Sequence, residues 1–146
     1  MKDKASENIR LLKSFYAAVA SGDLISARGT LDPDVEWVEP YVPNLWFSGI
    51  HRSPESVLKQ VLEPITEKIR NYRIKIKKFF AFGDHVIAIG TLRGRGKFNH
   101  RELDAPTAHV WTLRSGKVVR FEAFHDPASW QDALGLPQLE SERMAA

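Results

Sequence analysis

The sequence predicts an α+β domain, helices first and a four-strand antiparallel meander afterwards. Three observations lead there. In the first segment Ile9, Leu12, Phe15/Tyr16 and Val19 recur at spacings of three and four, the period of a helix with one buried face. Beyond residue 72 the period drops to two. Glycine-bearing reversals, FGDH at 82–85 and RSGK at 114–117, then separate the alternating runs. With 146 residues the chain has material for one core and not for two.

Each element follows from local chemistry. Ser6 is a candidate N-cap for the first helix and Gly22 stops it. Asp23 caps a short second helix through LISARGTL, and Asp32-Pro33 makes a turn into the strand DVEWVEPY. Residues 41–53 read as a loop carrying Tyr41, Trp46, Phe47 and His51. Pro54 suits the first turn of a third helix, which runs through Val57, Val61 and Leu62 to about Pro64 or slightly beyond. Strands are expected near 72–82, 86–95, 105–114 and 117–125, with a polar connection GKFNHRELDA at 96–105. DPASWQDALG, from Asp126, reads as a capped closing helix. If the sheet curves, its concave face and the helices enclose a cone whose mouth suits a ligand.

Composition excludes several classes. Hydrophobic residues make up 43% and charged residues 27%, as in globular domains, and no apolar run reaches the roughly 20 residues that cross a bilayer. There is no apolar leader and no cysteine, so the expectation is a cytoplasmic protein without disulfides. The five histidines show neither HxH nor HExxH spacing, and GxGxxG, Walker and GxSxG patterns are missing; no metal and no cofactor is expected. A net charge of +3 is slight. Arg73, Lys75 and Lys77 alternate with Ile74 and Ile76, an ordinary solvated strand face, so no nucleic-acid and no membrane partner is expected.

One residue stands out. Within DVEWVEPY, Val35, Trp37 and Glu39 share a face, while Glu36 and Val38 share the other. Glu39 therefore points where a core residue belongs. A carboxylate among apolar neighbours is poorly hydrated and becomes a stronger base near neutral pH.

The order of FYAAVASGDL, DPDVEWVEP, GIHRSPESV, GDHVIAIGT and HVWTLRSGKVVRFEAFHD is similar to the SnoaL-like, ketosteroid-isomerase-related branch of the NTF2-like superfamily. The resemblance covers roughly residues 8–134. It implies a single domain over 1–146 with a curved antiparallel sheet and N-terminal helices forming a cone-shaped pocket, a cystatin-like α+β barrel. It also implies a homodimer through the convex sheet face. In ketosteroid isomerases the acid before the strand-ending proline is the general base, and Glu39-Pro40 falls on that pair. Their oxyanion tyrosine falls on Phe15, which has no hydroxyl, although Tyr16 is adjacent. Their second donor, a protonated aspartic acid, falls on His109.

The resemblance thus points to a cofactor-independent acid/base enzyme, an isomerase, aldol-type cyclase or dehydratase, acting on a small hydrophobic carbonyl compound. Glu39 is its candidate base and His109 its acid or oxyanion partner. Phe15, Tyr16, Trp37, Trp111 and Phe121 are the candidate walls. His109 shares a face with Trp111 and Leu113, and is equally readable as a core histidine. His125 shares a face with Val119, Phe121 and Ala123, alternating with Arg120, Glu122 and Phe124, and is a second candidate imidazole. Asp126 falls near a family position but also reads as a helix cap. His51 is a candidate ligand contact at the rim. Tyr41, with Trp46 and Phe47, forms either a lid or a dimer surface. The competing reading is a non-catalytic ligand-binding or interaction domain on the same scaffold.

Overall fold

The computed structural model describes residues 3–137. Helix α1 (Lys4–Ser21) is capped by Asp3, whose side chain accepts from the Ser6 amide, so the cap lies three residues before the expected Ser6. Gly22 ends the helix in the left-handed region with φ 80°, which costs glycine nothing. Asp23 caps α2 (Leu24–Arg28). The third helix is composite: α3 (Pro54–Val57), a π-helical turn Leu58–Leu62, and α4 (Glu63–Lys68). Pro64 explains the wide turn. In a regular helix its ring would strike the carbonyl of Gln60, and in the widened turn the Glu63 amide reaches back to Leu58 instead.

Six strands form one curved, open sheet in the order β2-β1-β6-β5-β4-β3. They are β1 (Leu31–Glu39), β2 (Gly49–His51), β3 (Ile69–Phe82), β4 (His85–Gly96), β5 (Glu102–Arg114) and β6 (Lys117–His125). The four expected strands are all present, the first three of them longer than the sequence suggested. Three features differ from expectation. Asp32-Pro33, read as a turn before the strand, lies within β1. The stretch 49–51, read as loop, is a short edge strand paired with β1. The sheet is also not wholly antiparallel, because β1 runs parallel to β6. The last strand is inserted between the first strand and the meander.

Curvature comes from bulges in β3, between Arg70 and Arg73 and between Ile76 and Lys78. Gly90 on β4 makes room for the second bulge, since a Cβ there would strike the Lys75 carbonyl. The concave face and α1 enclose a core rich in rings, with Phe15, Phe47, Trp111 and Trp130 each at 0–1% exposure. Complete burial of one such side chain stabilises by about 1.5–3 kcal/mol. The convex face carries Phe80, Phe82, Ile89 and Phe124 exposed, beside a chain of ion pairs linking Arg52, Glu36, Arg120 and Glu122. Helix α5 (Pro127–Leu134) closes one end of the concave face; Asn99 donates to the Asp132 carbonyl and Arg101 pairs with its carboxylate. Among the described residues no helix is long and apolar enough to cross a membrane.

Candidate functional site

The alternation of β1 carries Trp37 and Glu39 inward, both buried. Trp37 stacks on Phe121 at 3.8 Å between centroids, which locks the indole. Its Nε1–H then donates to Glu39 Oε2 at 2.7 Å, so one strand supplies both the acid and the donor that orients it. Burial pushes the Glu39 carboxyl up to about 8, with the Trp37 bond offsetting only part of that cost.

Register locates the partner. Val38 pairs with Glu122, and continuing by one residue sets Glu39 beside Ala123; on the other side Ala123 pairs with His109. Glu39 and His109 therefore flank a small residue, their backbones two strand spacings or about 10 Å apart. The missing side-chain volume at Ala123 leaves a narrow hollow of about 30 Å³, room for a water or two, so a larger ligand needs the surrounding side chains to move. Glu39, His109, His125, Phe15, Trp37 and Phe121 all line it.

The hydroxyl of Tyr16 fixes the tautomer of His109. Trp111 Nε1–H donates to the Tyr16 oxygen at 2.9 Å, and the same oxygen lies 2.7 Å from His109 Nδ1. An indole only donates, so the phenolic proton satisfies the trio when it points to Nδ1. The imidazole proton then sits on Nε2, at the opposite edge of the ring. Burial, and to a smaller degree the neighbouring His125, holds His109 down at about 3, so the ring is neutral near pH 7. It is a hydrogen-bond donor and not a proton source.

His125 repeats the arrangement. Trp130 Nε1–H donates to its Nδ1 at 3.2 Å, leaving the proton on Nε2, which is buried without a protein partner. Burial lowers this imidazole to about 4, with Asp126 pulling weakly the other way.

The structure takes five of the sequence candidates out of the lining. Tyr41 is 82% exposed, pointing away from the hollow. His51 is buried elsewhere, donating from Nε2 to the Phe47 carbonyl at 2.9 Å with Nδ1 against the Gln60 amide. Asp126 caps α5 through the Ala128 amide. Trp111 lies beneath the hollow, in contact with Phe15 and Phe121. Tyr16 also stands behind the lining and acts on it through His109.

Three aromatic residues not singled out as walls do line it, Tyr72, Phe47 and Trp130, beside aliphatic side chains such as Leu62 and Leu92. Tyr72 shares the inward face of β3 with Ile74, a pattern overshadowed by the cations on the outward face. Its phenol is pushed up by burial and then by the nearby Glu39. Phe47 packs edge-on against Trp130, joining the loop after β1 to α5. Among the described residues no cluster of His, Asp and Glu could hold a metal ion.

The fold has parallels among known proteins. Residues 12–121 match the model of the SnoaL-like domain family. An NTF2-like protein from Burkholderia thailandensis E264 is 27% identical, covering 86% of this chain and 95% of its own, with TM-score 0.76. TerC, co-crystallised with polyporic acid, is 24% identical, covering 88% and 98%, with TM-score 0.79. A protein with a ketosteroid isomerase-like fold from Catenulispora acidiphila DSM 44928, in complex with trimethylamine, is 17% identical, covering 87% and 93%, with TM-score 0.75. No curated protein matches the chain at a significant level. The chain belongs to the SnoaL-like domain family, within the NTF2-like superfamily.

Proposed function

We propose that the chain is a cofactor-independent acid/base enzyme acting on a small apolar carbonyl compound. The observation that carries this reading is the placement of Glu39 and the His109 Nε2–H on either side of Ala123 in one ring-lined hollow. A carbonyl oxygen accepts from His109 while a hydrogen on the adjacent carbon faces Glu39. The ionised carboxylate removes that hydrogen, and the negative charge developing on oxygen meets a donor already oriented by Tyr16 and Trp111. Isomerisation, aldol-type ring closure and dehydration share this first step. The fold's capacity for small organic ligands is supported by TerC, whose structure contains polyporic acid.

The test is exchange of α-hydrogens for deuterium in a set of small aryl ketones. The wild type is expected to catalyse exchange, and Glu39→Gln to lose about 100-fold or more of it while still binding the ketone. Binding without exchange in the wild type would support the ligand-binding module instead.

A further inference from the structure

One ketone oxygen occupies His109 and leaves His125 unanswered. The Nε2–H of His125 is buried and has no protein partner, a state that native interiors seldom keep. The register puts it near His109: His109 pairs with Ala123, and His125 is two residues further along β6, opposite Thr107. The two imidazoles are thus diagonal neighbours on one face, about 7–8 Å apart at the backbone. Each accepts at Nδ1 from a fixed donor, and each carries its proton on Nε2. No lysine or arginine lines the hollow among the described residues. Neutral donors suit a charge spread over two oxygens. A compact carboxylate or phosphate, stripped of water, calls for a cation.

We propose, resting on the acid/base reading above, that the hollow takes an enolisable 1,3-dicarbonyl compound and holds its two oxygens on His109 Nε2–H and His125 Nε2–H. The hydrogen between the carbonyls passes as a proton to the Glu39 carboxylate. The electron pair of that C–H bond becomes the C=C bond of an enolate, whose charge the two oxygens share. Glu39 then returns the proton, so no oxidant, reductant or further reactant is required. A hydrogen flanked by two carbonyls is far more acidic than one beside a single carbonyl, which brings it within reach of a buried carboxylate.

Benzoylacetone and butyrophenone have the same aryl ketone and differ in the second carbonyl. Calorimetric titration of the wild type at pH 7 should give at least about tenfold tighter binding of benzoylacetone, the worth of one buried hydrogen bond. In His125→Phe the preference should vanish. Equal affinities in the wild type, which needs no variant to fold, overturn the proposal and leave His125 to a buried water. A preference that survives His125→Phe overturns it too. The underlying reading is scored apart, by Glu39-dependent deuterium exchange of butyrophenone. Exchange without diketone preference sinks only the two-oxygen recognition. Diketone preference without Glu39-dependent exchange of either compound overturns the proton transfer and leaves recognition standing.

Discussion

The Tyr16 hydroxyl lies 2.7 Å from His109 Nδ1 and takes the Trp111 indole N–H on its other side. A residue outside the hollow thereby decides which edge of an imidazole inside it bears the proton. Tyr16→Phe should cost about 1–3 kcal/mol, because it strands a buried indole N–H and an imidazole nitrogen. Nitrogen NMR of His109 should change from one tautomer to a mixture. The exchange rate should fall at least about tenfold with KM little altered. An unchanged tautomer signal would refute the relay.

Glu39 and the two histidines give stability a predictable pH optimum. Glu39 titrates at about 8 when folded against 4.5 ordinarily, so the folded state holds an extra proton between these values. Its stabilisation is full below 4.5 and is lost as pH rises to about 8. His109 and His125, held at about 3 and about 4 against an ordinary 6.5, work in the opposite sense. The unfolded chain binds their protons first, so stability rises with pH up to about 6.5. The polar groups sharing the hollow with Glu39 are Tyr72, the two imidazoles and the Trp37 indole N–H. Carboxylates lowered by their partners, such as Glu36 beside Arg120, keep their stabilisation above the ordinary carboxylate range and lose it only as the pH falls below that range. The melting temperature should therefore peak near pH 6.5, the histidines' ordinary value. Glu39→Gln should abolish the decline above it.

The same titration predicts a rate profile. Exchange should climb with pH and level off above about 8, where Glu39 is ionised. A flat profile from pH 6 to 9 would remove Glu39 from the chemistry.

Gly96 supports the closing helix. A Cβ at this position would collide with the Ala133 carbonyl of α5 and the Asn99 side chain. Gly96→Ala should cost about 1–3 kcal/mol and move Trp130 off the hollow. Weaker ketone binding and a red-shifted tryptophan emission would show it; an unshifted spectrum with full affinity would argue against it.

We propose that the expected homodimer uses the convex face. Exposed Phe124 follows Glu122 of the Arg120–Glu36–Glu122 ion pairs on β6 and Phe80 lies on the same face at β3, so the face carries rings and both signs of charge, and two copies can complement each other. The double variant Phe80→Lys/Phe124→Lys should sediment as a monomer where the wild type sediments as a dimer. A wild type that stays monomeric at high concentration would end the idea.

Much of the fold was legible because period and punctuation agree locally. The helix face of Leu12, Phe15 and Val19 and the reversals at Gly83 and Gly116 each carry their own signal. The placement of β6 beside β1 carries none, since pairing between distant strands, as of Trp37 with Phe121, has no mark in either segment. At the site, alternation revealed that Glu39, His109 and His125 face inward. It could not reveal depth. Trp111 shares the face of His109 yet lies under the hollow, because α1 covers it through Phe15 and Tyr16. Asp126 obeyed its local capping chemistry, and His51 was claimed by the Phe47 carbonyl, a partner no spacing rule indicates.

The parallel pairing of β6 with β1 has a consequence for how the chain comes into being. The floor residue Ala123 and both flanking strands meet only after the final strand has been made. During synthesis, helices α1 to α4 and the β3–β4 hairpin emerge early, whereas the hollow waits for β6 and for Trp130 of α5. Such long-range closure slows folding. It also means that a chain cut short after the β5 segment has every ring of α1 and β1 and no chamber to put them around.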